Sequence, residues 1–318
     1  MGDDASSPAA GGVPEAQPLV HRHVSLLSDY GHADESVGVV HSVIKALAPG
    51  VDVIDITHGI APYDVRGAAL ALARSVQYMC PGVVVAMVDP GAGSGRRAVA
   101  VEVGGGSSFL LGPDNGILAP AVSMVGGATA AVELDNSEHH LEAPGPAFSG
   151  RDVFAPVAAS LCRGVPLAEL GSSIDPVSLL PGTLPLSRTE PDGIHTEVLW
   201  VDRFGNVQLN LDPEELEGPG TRFELDFAGQ RLLAERVGSF GALSTGAVGL
   251  MVDSHGLVSL VADRASASEQ TGLVEGDEVV ISAAGESPPA PDGDGPPAIA
   301  VELGPRPGAT GDEGQVGR

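Results

Sequence analysis

Five apolar segments of this 318-residue chain each lead into a polar cluster that contains both aspartate and glycine. The clusters occupy residues 28–31, 55–64, 89–97, 112–116 and 202–206. Short apolar runs bounded by such turn residues predict buried strands. Because open α/β sheets bind ligands beyond the carboxyl ends of their strands, the pattern predicts a site assembled from several strand ends.

Between residues 22 and 185, the short apolar strands alternate with segments of helical periodicity. The predicted helices span residues 36–47, 64–78 and 151–162. In the second of these, apolar residues recur at Val65, Ala68, Leu72 and Val76, which is the spacing of one helix face. Alternating strands and helices predict an N-terminal α/β domain, residues 22–185, with a layered architecture and a mostly parallel sheet.

Strand patterns dominate the second part of the chain, and they predict a smaller antiparallel, β-barrel-like domain over residues 194–284. Its predicted strands are residues 194–201, 207–211, 222–227, 247–252, 257–261 and 278–282. Residues 186–193, which follow a stretch rich in proline, are interpreted as a linker. Residues 1–21 and 285–318 are rich in Pro, Gly, Ala, Asp and Ser, which predicts disordered tails.

Composition excludes several classes of function. The formal net charge of −26 opposes nucleic-acid binding, because a basic face is needed to neutralise phosphates. No apolar run approaches 18 residues and no secretory signal is recognised, so we expect a soluble cytoplasmic protein without membrane contact. Cys80 and Cys162 are the two cysteines, and no Cys/His cluster has zinc spacing, so we expect no bound metal.

Taken in order, the five clusters resemble those of the S-adenosylmethionine hydroxide adenosyltransferases, relatives of fluorinase and chlorinase, over roughly residues 24–284. The resemblance implies hydrolysis of S-adenosyl-L-methionine to adenosine and L-methionine by in-line attack of water on the ribose C5′. S-adenosylmethionine would be the substrate, and no cofactor is implied. The family also implies a homotrimer with active sites at the subunit interfaces.

The resemblance assigns three residues to catalysis. Asp89 would accept a hydrogen bond from the attacking water, and Arg96 would fix the rotamer of that carboxylate through a charge-assisted pair. Arg97 is expected to face solvent or a neighbouring subunit. Ser149 stands where the family pattern has histidine, and a hydroxyl cannot take up a proton near neutral pH. His139 and His140, about ten residues upstream, are candidates to reach into the same place.

The resemblance also assigns the substrate contacts. Asp29 would accept hydrogen bonds from both ribose hydroxyls, and Tyr63 would form an aromatic platform against the sugar or base. The resemblance assigns the methionine amino group and the adenine edge to Asp202 and Asn206, and the methionine carboxylate to Ser254 and His255. The alternatives are a helix N-cap or Asx turn for Asp29 and, on turn chemistry alone, a tight turn between strands for residues 204–206.

Two other functions remain open from the sequence. A halogenase would use halide as the nucleophile, but Asp89, Ala92 and Gly150 replace halide-pocket residues, and a carboxylate repels halide. A protein that binds S-adenosylmethionine or adenosine without turnover is the second alternative, because Ser149 replaces the family histidine.

Overall fold

The computed structural model describes residues 18–183, 185–216 and 221–284. The predicted disordered tails lie outside these ranges except for residues 18–21. Of these four, Val20 and His21 direct their amides to the Cys162 carbonyl oxygen, at 2.8 and 3.3 Å. The chain is therefore docked on the N-terminal domain before its first strand begins.

The first sheet has seven strands in the order β2-β1-β3-β5-β4-β6-β7. Its strands are β1 (His23–Ser28), β2 (Asp52–Thr57), β3 (Val83–Met87), β4 (Ala98–Val103), β5 (Ser108–Pro113), β6 (Ala128–Glu133) and β7 (Ser172–Ile174). Strands β2, β1, β3 and β5 pair in parallel, and β4 runs antiparallel to both β5 and β6. Five of the seven strands therefore run in one direction, which confirms the mostly parallel sheet.

Helices cover both faces of this sheet. They are α1 (Ser36–Leu47), α2 (Val65–Ser75), α3 (Ala119–Met124) and α4 (Ala155–Cys162). Leu26 packs in the core under α1 and α4, whereas its neighbour Leu27 packs in the core under α2 and α3. This alternation is what a strand buried on both faces requires, since successive side chains point to opposite sides.

Two of the three predicted helices differ from the observed ones at an end. The second α-helix ends at Ser75 and continues as a 3₁₀ turn over Val76–Tyr78. The third begins as a π-helical turn over Gly150–Phe154. Pro156 has no N–H to donate to the Asp152 carbonyl, and this oxygen instead accepts from the Leu141 amide at 2.9 Å.

The second sheet is a closed seven-stranded barrel with one added strand. Its strands are β8 (Arg188–Glu190), β9 (Gly193–Val201), β10 (Val207–Leu209), β11 (Arg222–Phe227), β12 (Gln230–Arg236), β13 (Val248–Val252), β14 (Val258–Ala262) and β15 (Glu278–Ala283). Pairing of β9 with β10 closes the barrel, and one short helix, α5 (Ala267–Thr271), follows β14. Part of the predicted linker is strand β8, because the turn at residues 191–192 folds it back antiparallel onto β9.

Helix α2 connects the two sheets. The Arg66 guanidinium pairs with Glu197 of β9 at 2.5 Å, and Arg74 lies 4.8 Å from the centre of the Trp200 ring. No helix among the described residues is long and apolar enough to cross a membrane.

The polar clusters lie together at the end of the first sheet where its parallel strands terminate. The carboxyl ends of the parallel strands β1, β2, β3 and β5 meet there, together with the amino end of the antiparallel strand β4. Asp29 follows β1, His58 follows β2, Asp89 follows β3 closely, and Arg96 precedes β4. The topology thus brings residues far apart in sequence to one crevice.

Candidate functional site

Asp89 and Arg96 form an ion pair at the end of β3. The Arg96 Nε atom lies 3.0 Å from Asp89 Oδ1, which also accepts from the Gly91 amide at 2.9 Å. The side chain of Asp89 is 15% exposed and that of Arg96 is 32% exposed, so the pair borders solvent. Both donors bind Oδ1, and Oδ2 accepts no hydrogen bond within the described ranges. The carboxylate is held in one orientation with an oxygen available to a ligand or water.

Asp29, which follows β1, is bound by a residue of the loop between β2 and α2. Its Oδ2 atom accepts a hydrogen bond of 2.9 Å from the Tyr63 amide. It does not cap a helix, because the N-cap of α1 is Glu35 and that of α2 is Asp64. Tyr63 has a φ of 69° and the residue is 70% exposed. A left-handed tyrosine is strained, and such strain concentrates at functional sites. The structure therefore places the two predicted ribose contacts side by side.

The segment that carries Ser149 packs against the turn of the Asp89–Arg96 pair. A Cβ atom built on Gly93 would lie 3.2 Å from Cγ of Pro146. Ser149 itself is partly buried, and its hydroxyl makes no capping hydrogen bond with the π-helical turn that follows. The segment that leads into Ser149 thus contacts the turn between Asp89 and Arg96, although no hydrogen bond joins Ser149 to either residue among the described residues.

Neither His139 nor His140 occupies the place of the family histidine that Ser149 replaces. The Nδ1 atom of His139 lies 3.5 Å from Oγ of Ser160, which belongs to α4. Burial, and secondarily the charge of His139, lowers the pKa of His140. In the part of the chain that the structure describes, no hydrogen bond links either ring to Asp89 or Ser149.

Tyr30 belongs to the crevice, although sequence reasoning gave it no role. Its ring packs edge-on against Phe148, with centroids 5.6 Å apart, and its hydroxyl lies against Gly150. Burial, and then the charge of Asp29, raises the pKa of Tyr30 well above its usual value, and Asp89 and Asp152 add to this effect. The hydroxyl therefore stays protonated and can donate a hydrogen bond. Nothing in the sequence pattern indicated that this ring turns inward.

Gly150 makes the space for that hydroxyl, so Gly150→Ala is expected to displace it. An added Cβ would collide with the Tyr30 hydroxyl and lie 3.0 Å from Met87 Sδ. We expect the free energy of unfolding to fall by about 1–3 kcal/mol, the usual cost of overpacking. Thermal melts check this, and adding Tyr30→Phe should recover part of the loss. Gly38→Ala, at an open position in α1, is the control and should not destabilise. Equal melting temperatures for Gly150→Ala and the native protein would contradict this packing.

Arg97 pairs with a buried carboxylate of its own domain, and its side chain is 32% exposed. Its Nη2 atom lies 2.5 Å from Oδ2 of the buried Asp114 and 3.1 Å from the Ser178 carbonyl oxygen. Asp114 also accepts from the Leu180 amide at 2.8 Å. A carboxylate buried at the end of β5 needs a charged partner, and Arg97 is the one that reaches it. The 112–116 cluster is therefore a structural turn beside the crevice.

A second group of candidate residues lies on the barrel. Asp202 Oδ1 accepts from the amides of Phe204 and Asn206 at 2.8 and 2.9 Å, and Oδ2 accepts from Asn206 Nδ2 at 2.8 Å. Both oxygens of Asp202 therefore hold a tight turn, as the alternative interpretation of this segment anticipated. That turn presents Asn206 and the 76% exposed Phe204 to an adjacent cavity.

This cavity has a volume of about 730 Å³ and combines aromatic with charged walls. It is lined by Phe204, Asn206, Phe240, Ala262, Arg264, Ala265, Ser266 and Glu269. Arg264 has a φ of 52°, so a strained residue lies here as well as at Tyr63. Flat apolar walls with a few amide and charged groups suit a heteroaromatic ring. Sequence reasoning identified Asn206 here but missed Phe240 and Arg264, which lie on other segments of the chain.

Ser254 and His255 lie outside that cavity. Both are exposed in the turn between β13 and β14, where the His255 amide donates to Asp253 Oδ1 at 2.8 Å. Their assignment to the methionine carboxylate stays a prediction.

Two groups of potential metal ligands occur among the described residues, although the sequence spacing indicated none. They are His41, Asp55 and His58, and Glu190, Asp192 and His195, each with ligand atoms within 4.8 Å of one another. In the first group both ring nitrogens of His58 are already engaged, one with Ser28 and one with Asp55. The expectation of no metal stays a prediction.

Comparison with known proteins matches both domains to one family. The family model described as SAM hydroxide adenosyltransferase N-terminal domain matches residues 24–171, and the corresponding C-terminal domain model matches residues 196–280. A Salinispora tropica protein named (R)-S-adenosyl-L-methionine hydrolase is 42% identical over 260 residues, which is 82% of this chain and 97% of that protein.

More distant similarity extends to halogenases and to solved structures. A fluorinase of Actinoplanes is 25% identical over 294 residues, covering 82% of this chain and 97% of the fluorinase. An uncharacterised conserved protein from Thermotoga maritima superposes with a TM-score of 0.74 at 30% identity, covering 81% of this chain and 99% of that one. With both domain models matched in order, the chain belongs to the SAM hydroxide adenosyltransferase family.

Proposed function

We propose that this protein hydrolyses S-adenosyl-L-methionine to adenosine and L-methionine. The observation that carries the proposal is the Asp89–Arg96 pair, at 3.0 Å, on the same sheet edge as Asp29. The name of the Salinispora tropica relative, which aligns over 82% of this chain, supports the same reaction.

In this reaction the oxygen of water attacks C5′ of the ribose, and the bond between C5′ and the sulfonium sulfur breaks. The sulfur keeps the electron pair and leaves as the neutral thioether of methionine, so no acid is needed for departure. The attacking water loses one proton to solvent through the Asp89 carboxylate. The protein contributes mainly alignment and a fixed hydrogen-bond acceptor for the water.

Arg96 and Gly91 orient Asp89 for this task. Both donate to Oδ1, so Oδ2 is the acceptor for the attacking water. Asp29, anchored by the Tyr63 amide, takes the ribose hydroxyls and sets the direction of C5′. The ring of the exposed Tyr63 covers the sugar.

Halide is a poor nucleophile for the same crevice. Asp89 and Asp152 each pair with an arginine, whereas Asp29 has no arginine or lysine partner among the described residues, so an anion beside Asp29 would meet an uncompensated negative charge. A negative field repels an anion but favours a sulfonium cation. The fluorinases are also more distant relatives than the named hydrolase, with 25% against 42% identity.

The site is completed in our proposal by a second copy of the chain. The cavity with Phe204 and Asn206 is lined only by barrel residues, within the described ranges, whereas the Asp29 and Asp89 contacts lie on the α/β domain. Adenine would occupy the barrel cavity of one subunit while its ribose reaches the Asp29 crevice of the next, in a homotrimer. No cofactor or metal takes part. The setting is the reducing cytoplasm, in keeping with free Cys80 and Cys162.

An activity assay separates hydrolysis from its alternatives. Purified protein given S-adenosylmethionine should form adenosine and methionine in equal amounts, at a rate unaffected by added fluoride, chloride or a metal chelator. A halogenated nucleoside would indicate a halogenase. Binding without any product would indicate a non-catalytic protein, and loss of activity with chelator would contradict the metal-free mechanism.

A further inference from the structure

A buried chain of hydrogen bonds lies behind the crevice. Ser28 Oγ lies 2.7 Å from His58 Nδ1, and His58 Nε2 lies 2.9 Å from Asp55 Oδ1. The same Asp55 oxygen lies 2.7 Å from His41 Nε2. Ser28 and His58 are 0% and 1% exposed, whereas Asp55 and His41 reach the surface.

The donors and acceptors of these hydrogen bonds can be assigned from Asp55, because an ionised carboxylate can only accept. An ionised carboxylate has no proton to donate, so the Asp55 oxygen accepts from His58 Nε2–H. Burial alone would raise the pKa of Asp55, but hydrogen bonds from His58 and His41 lower it below its usual value. In the neutral imidazole, Nδ1 of His58 then accepts from the Ser28 hydroxyl. The Ser28 oxygen in turn accepts from the Tyr30 amide at 3.2 Å.

The combination of serine, histidine and aspartate is that of nucleophilic hydrolases, but Ser28 cannot act as a nucleophile. Its side chain has no exposed surface, and its oxygen is already engaged by the Tyr30 amide and the His58 ring. An attacking hydroxyl must be reachable by the substrate. The Ser28–His58–Asp55 hydrogen bonds therefore stabilise or position neighbouring residues and do not supply a nucleophile.

This network of hydrogen bonds holds the residues on both sides of Asp29. Ser28 precedes Asp29 and is bound to the His58 ring, and Gly31 follows it and donates its amide to the His58 carbonyl oxygen at 2.8 Å. Tyr30, between them, is bound through Ser28. His32 packs its ring edge-on against His58, with centroids 5.5 Å apart. Ser28, Gly31 and His32 thus contact His58 directly, and Tyr30 is linked to it through Ser28.

We propose that His58 is a positioning residue that sets the orientation of Asp29 for the ribose hydroxyls, acting through Ser28 and Gly31 with Asp55 as its support. The inference rests on the proposed function, because it takes Asp29 as the ribose contact. His58 would not touch the substrate. It lies in the loop after β2, whereas Asp29 lies in the loop after β1.

The test measures recognition of the ribose hydroxyls directly. Affinities of adenosine and 2′,3′-dideoxyadenosine are measured by calorimetry for the native protein and for His58→Ala. The native protein should prefer adenosine, and His58→Ala should lower that preference by about tenfold, the scale of one hydrogen bond to a charged group. A general loss of stability would weaken both ligands alike and leave their ratio unchanged.

Further variants make the result specific. His58→Asn places an amide near the Nδ1 position and keeps a partner for Ser28, so it should restore part of the preference. His23→Ala, at the opposite end of β1, is the matched control and should keep the native ratio. Where His58→Ala does not fold, Ser28→Ala removes the same link and should shift the ratio in the same direction.

The outcomes distinguish the role of His58 from the proposed function. Failure of the native protein to form adenosine from S-adenosylmethionine would overturn the proposed function. A native preference for adenosine that survives unchanged in folded His58→Ala and Ser28→Ala would overturn the role of His58 and leave the proposed function standing.

Discussion

Asp89→Asn is expected to lower kcat for S-adenosylmethionine hydrolysis by about 10²–10⁴-fold, the usual contribution of a positioned base. Asparagine keeps the shape of the side chain and can still accept from Arg96 and Gly91, but it lacks the charge that polarises the attacking water. Substrate affinity should change little, because Asp89 contacts the water rather than the nucleoside. Steady-state kinetics and calorimetric binding of S-adenosylmethionine separate the two effects.

The matched control for this prediction is Asp226→Asn. Asp226 also pairs with an arginine, Arg231, at 3.2 Å, but on the exposed surface of strand β11. It should leave kcat unchanged and lose no more than about 1 kcal/mol of stability, since exposed ion pairs contribute little. Native turnover in Asp89→Asn would move the catalytic role to another residue.

Ser149→His is expected to raise kcat by up to ~10²-fold if an imidazole beside Asp89 and Arg96 acts as a general base. Ser149 is partly buried and uncommitted to a helix cap, and its segment already packs on the Asp89 turn through Pro146 and Gly93. The rate should acquire a new dependence on pH near the ordinary histidine pKa of about 6.5. A pH profile of kcat for the native protein and the variant checks this.

Ser149→Ala is the companion variant, and it should cost little. The hydroxyl contributes at most one modest hydrogen bond to water, worth about 1 kcal/mol. An inactive alanine variant together with a histidine variant no faster than the native protein would contradict this account. That pair of results would mean that the water site is built around the serine itself.

Much of the architecture was predictable because the N-terminal strands are buried on both faces. Short apolar runs bounded by turn residues, such as Val83–Met87, predict buried strands, and the helix at Ser36–Leu47 has the predicted bounds. Strand β12 was missed because Gln230–Arg236 is mostly exposed and has no clear alternation. The π-helical turn before α4 depends on a distant amide, that of Leu141, which no local pattern can indicate.

Residues of the candidate site were predictable where they follow a strand directly. Asp29 and Asp89 have this position, and the sheet brings them to one edge. Tyr30, His58 and Arg264 were not among the predicted site residues, because their positions depend on which way a side chain turns or on a backbone angle. The ion pair of Arg97 with Asp114 was not predicted, because Asp114 becomes buried only when β4 pairs with β5.

Turnover in ¹⁸O-labelled water tests the central claim most directly. Attack of water on C5′ forms a new carbon–oxygen bond, so mass spectrometry should find one ¹⁸O atom in the 5′-hydroxyl of adenosine and none in methionine. Adenosine formed without the label would contradict direct attack by water and, with it, the role assigned to the Asp89–Arg96 pair.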